Sequence, residues 1–150
     1  MVALLQRVTS ASVYLSHNPK KKNSIKNGLC ILLGVAETDT EKDADKIIKK
    51  IANIRIFTDS KGKMNLGLKE SNSKILLVPQ FTLTANCKKG NRPSFSKAAN
   101  PQKAKIFYLY VARELTRKEL PVKTGFFGEY MKLDLKLDGP VTIDLNSEKL

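Results

Sequence analysis

At 150 residues and 41% hydrophobic, the chain is long enough to bury a core without disulfides or metal and reads as one domain over 1–150. Its 27 Lys and Arg against 14 Asp and Glu give a formal +13, which points to a polyanionic partner such as RNA or DNA, or to an anionic membrane surface; lysines that merely coat the surface are the plainer reading. Two cysteines without a CxxC neighbour and a single histidine, His17, offer no zinc spacing and no disulfide framework, and no apolar run reaches the 18 residues of a membrane-spanning helix.

Taken in order, Val2 to Val8 and Ala11 to Leu15 read as two β segments parted by Thr9-Ser10. Arg7 follows rather than precedes the short apolar stretch, the wrong order for a signal peptide, so a reducing, cytoplasmic setting is expected. Ser16 to Ser24, with Pro19, Asn18, Asn23 and Lys20-Lys21-Lys22, reads as a solvated hairpin tip. Leu29 to Val35 is a continuous apolar run, the pattern of a strand buried on both faces. Asp39 and Thr40 offer an N-cap, and Ile47, Ile48, Ile51 and Ile54 recur at helical spacing. Arg55 to Thr58 is extended and breaks at Asp59-Ser60-Lys61-Gly62.

Ile75 to Val78 is a further apolar strand that runs into Pro79-Gln80-Phe81-Thr82-Leu83-Thr84, where alternation places Gln80, Thr82 and Thr84 on one face of an extended segment. A polar-aromatic stretch, Cys87 to Phe95, follows. Pro101 opens a second helix with Ala104, Phe107, Tyr108, Val111, Ala112 and Leu115 on one stripe, and Pro121 ends it. Met131 to Leu137 and Val141 to Leu145 alternate as half-buried strands joined at Asp138-Gly139-Pro140, which has the look of a tight turn. Pro140 gives the junction a second reading, a special loop, because a cis Gly139-Pro140 bond would present two carbonyls side by side. Clustered strands with two helices predict an α+β fold, mostly antiparallel sheet or partly closed barrel with two flanking helices.

Catalytic side chains are scarce. One loop histidine gives no Ser-His-Asp or Cys-His triad, and the carboxylates are scattered opposite lysines rather than paired. Gln80 and Thr82 at a strand end suit a functional site, and equally suit a solvent-facing edge strand. Lys88, Lys89, Arg92, Phe95, Phe126 and Phe127 supply cations for phosphates and rings for bases.

Several motifs in order carry a resemblance over nearly the whole chain: Gln6-Arg7-Val8, Arg55-Ile56-Phe57 with Lys63-Met64-Asn65-Leu66, Gln80-Phe81-Thr82-Leu83, Gly90-Asn91-Arg92-Pro93-Ser94-Phe95, Thr124-Gly125-Phe126-Phe127-Gly128 and Asp138-Gly139-Pro140-Val141-Thr142. On these the chain resembles the D-aminoacyl-tRNA deacylases of the bacterial and eukaryotic type. The resemblance implies a homodimer, without cofactor or metal and off the membrane, that hydrolyses the ester joining a D-amino acid, or glycine, to the terminal adenosine at the acceptor end of tRNA. It also implies a cis Gly139-Pro140 that reaches into the partner's site and holds the α-amino group, with Arg7 bracing that loop. Phe127 and Gly128 correspond to the adenine pocket, and Gln80, Phe81 and Thr82 to the opposite wall. Hydrolysis in such proteins is assisted by the tRNA's own 2′-hydroxyl, with the protein supplying orientation and main-chain donors.

One residue departs from the pattern: Pro79 stands where the family usually has Ser. A related deacylase that clears L-alanine from tRNA has Pro-Gln here, so relaxed chirality toward L-alanyl-tRNA is one alternative. A non-catalytic tRNA-binding protein of the same fold is another, and a general esterase with Thr82 as nucleophile a third.

Overall fold

The computed structural model describes all 150 residues. Strands β1 (Val2–Leu15), β2 (Asn18–Ile25) and β3 (Gly28–Gly34) precede helix α1 (Glu41–Asn53). A small ribbon, β4 (Phe57–Thr58) with β5 (Met64–Leu66), leads to β6 (Lys74–Pro79), a 3-10 turn (Phe81–Thr84), helix α2 (Pro101–Arg117), β7 (Val122–Thr124) and β8 (Met131–Asn146). No helix is long and apolar enough to cross a membrane.

β1 organises the main sheet. Its first half pairs antiparallel with β3 and the end of β8, its second half with β2 and the start of β8. β6 then adds parallel to β3, and β7 parallel to β6. β2 curls back over this far side, where the Asn23 amide donates to the Thr124 carbonyl at 2.8 Å, so the sheet nearly closes into a barrel.

The two break points read in the sequence are bulges within continuous strands. Opposite Val8 and Ser10 stand Leu137 and Lys136, leaving Thr9 as one extra residue. One extra residue reverses which face looks inward, so Ala3 and Leu5 face the helices whereas Ala11 and Val13 face the barrel interior. On β8, Leu137 pairs with Val8 and Thr142 with Gln6, so residues 138–141 stand against Arg7 alone. The chain therefore makes no reversal at Asp138-Gly139-Pro140: both flanking segments run along β1 in one direction, and the residues between them loop out.

The basic stretch read as a hairpin tip is also ordered differently. Lys22 pairs with Tyr14 and Ser24 with Ser12. Two of the lysines set their ammonium groups over aromatic rings: Lys21 Nζ lies 5.3 Å from the centre of the Phe126 ring and Lys22 Nζ 5.9 Å from that of Tyr14.

Two cores result. Leu29, Ile31, Leu33, Ile75 and Leu77 meet Ala44, Ile47, Ile48 and Ile51 of α1 and Tyr108, Val111 and Leu115 of α2, while Cys30, Leu76 and Val78 fill the barrel with Val8, Val13 and Ile25. Burial pushes the Cys30 thiol up to about 12. Both helices begin where the sequence predicts, after Thr40 and at Pro101, and each start is capped. The Asp43 carboxylate accepts from the Thr40 hydroxyl and N–H at 2.7 and 2.9 Å, and Asn100 Oδ1 accepts from Lys103 N–H at 2.9 Å ahead of Pro101.

Candidate active site

β6 ends beside the last residues of β3, and there the chain turns sharply. Pro79 pairs with Leu33 and the Gln80 N–H donates to the Leu33 carbonyl at 2.8 Å. Phe81 to Thr84 then coil into the 3-10 turn rather than continuing extended, closed by Thr84 Oγ1 on the Phe81 carbonyl at 2.7 Å. The turn can lie this close to β3 because residue 34 is glycine: a Cβ there would sit 3.0 Å from both the Gln80 carbonyl oxygen and Leu83 Cβ. The expected shared face of Gln80, Thr82 and Thr84 is thus replaced by a compact turn. Its opening N–H groups have no partner within it.

This turn walls a cavity of about 900 Å³ together with Leu33, Ala98, Ala99, Tyr108, Met131 and the loop from Phe127 to Tyr130. Five expected site residues meet here: Gln80, Phe81, Thr82, Phe127 and Gly128. Gln80 Nε2 donates to Thr82 Oγ1. Phe81 is 57% exposed and meets Phe95 edge to face at 5.2 Å. Phe127 packs against Tyr108 at 5.8 Å. Rings at the mouth with a mostly apolar interior suit a nucleoside with an attached side chain.

Tyr108, read from sequence only as part of an apolar stripe, positions much of this wall. Its hydroxyl donates to the Leu77 carbonyl at 2.9 Å and approaches that of Gly125 at 3.4 Å, and burial pushes its phenol above the ordinary value. Gly125 N–H donates to Leu77 at 2.7 Å, but Pro79 has no N–H for a further rung between β6 and β7. A tyrosine within a helical apolar stripe was the available signal, since a buried phenol needs a partner.

The cavity lining holds one carboxylate, Glu129, and two phenols, Tyr108 and Tyr130, with no histidine, cysteine, lysine or arginine. No group of three metal-ligating side chains exists in the chain. The Thr82 hydroxyl has the Gln80 amide rather than a base as its hydrogen-bond partner, and the chemistry this arrangement favours is orientation and main-chain hydrogen bonding.

The remaining three expected residues form a second group. Arg7, only 8% exposed, donates from Nη1 to the Ile56 carbonyl at 2.6 Å. Its Nε lies 2.8 Å from Asp138 Oδ2, an ion pair at an angle outside hydrogen-bond geometry. Gly139 has φ 112°, and a Cβ there would meet Val141 at 2.9 Å and Arg7 Nη2 at 3.2 Å. The Gly139-Pro140 bond is cis, and both residues are exposed. This loop does not line the cavity of its own chain. Arg7 pairs with Leu29 and Pro79 with Leu33, and those four residues of strand correspond to about 13 Å.

A family model described as D-Tyr-tRNA(Tyr) deacylase matches residues 4–146. The D-aminoacyl-tRNA deacylase of Thermosipho melanesiensis is 51% identical over 152 residues, covering 100% of this chain and 99% of the relative. That of Staphylococcus aureus strain JH9 is 47% identical over 148 residues, covering 99% and 97%. Among solved structures, the c-Myc DNA Unwinding Element Binding Protein superposes with TM-score 0.88 at 39% identity over 97% of this chain and 98% of that one. A probable eukaryotic D-amino acid tRNA deacylase gives 0.80 at 17% identity over 96% and 98%, a likeness of fold.

Proposed function

The chain belongs to the D-Tyr-tRNA(Tyr) deacylase family and hydrolyses the ester of D-aminoacyl-tRNA, and we propose that it does so at sites each assembled from two copies of the chain. The observation that carries this is the division of the expected residues between the cavity and a loop that does not line it. A second copy closes the division. β8 has a strand partner, β1, on one edge only, and a long free edge invites pairing with another chain. In an antiparallel pairing of two β8 strands centred on Leu135, Lys132 stands opposite Asp138, Asp134 opposite Lys136, and Leu133 opposite Leu137. Opposite charges and apolar pairs both match. The same register sets Gly139 beside Met131, which lines the cavity.

In that assembly the acceptor-end adenosine lies by Phe127 and Gly128, the ester lies along Gln80, Phe81 and Thr82, and the partner's Gly139 and Pro140 carbonyls receive the α-ammonium. Water adds to the ester carbonyl and the C–O bond to the ribose breaks, freeing tRNA and the D-amino acid. The terminal 2′-hydroxyl assists, with the protein supplying orientation and main-chain donors. A rigid main-chain wall excludes an L side chain, and glycine, having none, passes it. The protein acts in the cytoplasm, as a single domain, without cofactor or metal. Release of D-tyrosine from D-tyrosyl-tRNA, with L-tyrosyl-tRNA spared, is the direct test; equal rates on both would refute chiral selection by the loop. One residue, Pro79, favours a second reading, activity on L-alanyl-tRNA, and the same assay with that substrate decides it.

A further inference from the structure

The chain leaves the cavity wall at Thr82 and returns to it at Ala98. Between them it forms an antiparallel hairpin, closed by Asn86 N–H to Ser94 carbonyl at 2.8 Å and Ser94 N–H to Asn86 carbonyl at 3.0 Å, with Gly90 at φ 63° at its tip. Its root is fixed on both sides. Phe95 meets Phe81 edge to face, and Ala99 N–H donates to the Val35 carbonyl at 3.0 Å.

The hairpin and its exit carry Lys88, Lys89, Arg92 and Lys97, all exposed, and none enters an ion pair. No carboxylate occurs anywhere between Glu70 and Glu114. A solvated lysine face is usually interspersed with acids that moderate its field; within this segment there are none, the neighbouring Glu37 meets Lys97 through its backbone N–H at 2.9 Å without an ion pair, and the segment adjoins the cavity. Asn86 to Gly90, four residue steps, reach about 13 Å at strand rise, and a duplex strand carries a phosphate about every 3.4 Å of axis. The arm is long enough to follow several phosphates beyond a nucleotide seated in the cavity.

We propose that this hairpin, with Lys97, is a docking arm for the phosphodiester backbone of the tRNA acceptor stem. The inference rests on the deacylase reading and extends it: the arm supplies sequence-independent affinity and orientation, and takes no part in ester cleavage. Phosphate contacts of this kind position a nucleic acid without reading its bases.

The test is the triple variant Lys88→Gln/Lys89→Gln/Arg92→Gln, beside a control of equal charge loss on α1, Lys42→Gln/Lys49→Gln/Lys50→Gln. Deacylation of D-tyrosyl-tRNA is compared with that of D-tyrosyl-adenosine, which has no stem, and binding of uncharged tRNA is followed by anisotropy across a salt series. On tRNA the arm variant raises KM by about ten-fold or more, and the slope of log affinity against log salt falls by about two to three. On D-tyrosyl-adenosine it matches the wild type, and the α1 control stays near wild type on both. A tRNA affinity no weaker than the control's, or an equal loss on the adenosine ester, overturns the proposal. Single variants of Lys88 and Lys89, each expected to lower the slope by about one, keep the test decisive if the triple variant misfolds. Uncharged-tRNA binding reads the arm even if no D-tyrosine is released by the wild type, a result that would instead sink the deacylase reading.

Discussion

Replacing Arg7 by methionine is the most informative single perturbation, because this side chain joins the fold to the Gly139-Pro140 loop proposed to select the substrate. The Ile56 carbonyl it serves is buried, and losing a hydrogen bond from a charged donor there destabilises by about 1.5–3 kcal/mol. Asp138 is 46% exposed, so its ion pair adds no more than about 1 kcal/mol. The sum, about 2–4 kcal/mol, lowers the melting temperature by roughly 5–15 °C for a domain of this size. Calorimetry of Arg7→Met measures that fall. At 25 °C, where the variant is still folded, an unbraced Gly139-Pro140 loop misplaces the ammonium contacts, and a misplacement of about 1 Å lowers kcat/KM by about 100-fold. The ratio of D- to L-tyrosyl-tRNA hydrolysis falls with it. A variant that melts with the wild type, or that melts lower yet keeps rate and chirality, would refute the assignment of Arg7 as the brace.

Thr82→Ala keeps its hydrolytic rate within about ten-fold of wild type, because that hydroxyl is hydrogen-bonded to the Gln80 amide rather than to a base; a loss comparable to removing a nucleophile, read by single-turnover kinetics, would restore the esterase alternative. Ellman's reagent titrates one thiol in the native protein, Cys87, and two after unfolding, since Cys30 is buried and its thiol is pushed up to about 12. Asp43 is held at about 2, first by the Thr40 hydroxyl and then by the Thr40 N–H. A folded value depressed below the unfolded one contributes stability that is complete above about pH 4 and disappears as pH falls toward 2. Thermal melts of Asp43→Asn against wild type should therefore differ at neutral pH and converge in acid. In a Cys87→Ser background, Leu135→Cys should give a disulfide-linked dimer and Leu133→Cys should not, because only residue 135 meets itself in the proposed register; equal cross-linking of both would discard that register.

Both helices were legible in the sequence because their apolar stripes and start signals agree: Ile47, Ile48 and Ile51 behind Thr40, and Tyr108, Val111 and Leu115 behind Pro101. The buried strands at Leu29 and Ile75 were legible as continuous apolar runs. β2 was hidden because Lys20 to Lys22 have no apolar face, Lys21 and Lys22 instead setting their ammonium groups over aromatic rings. The bulge at Thr9 and the excursion at Asp138 resembled strand ends, since a reversal of facing breaks the alternation much as a turn does. The turn at Phe81 was misread as extended because its cause lies elsewhere, in the absent side chain of Gly34. For the candidate site, motif order named residues that the fold gathers at the cavity and at the loop, whereas Tyr108 was obscured by its place in a core stripe.

The composite site is tested most directly by mixing two inactive variants, Gln80→Ala/Phe127→Ala in the cavity and Gly139→Ala/Pro140→Ala in the loop. If one protomer's loop serves the other's cavity, hybrids of the two contain one intact site. Unfolding and refolding an equal mixture then restores D-tyrosyl-tRNA hydrolysis to about a quarter of the wild-type rate, as random pairing of a two-fold dimer requires. A mixture no more active than either variant alone would contradict the account.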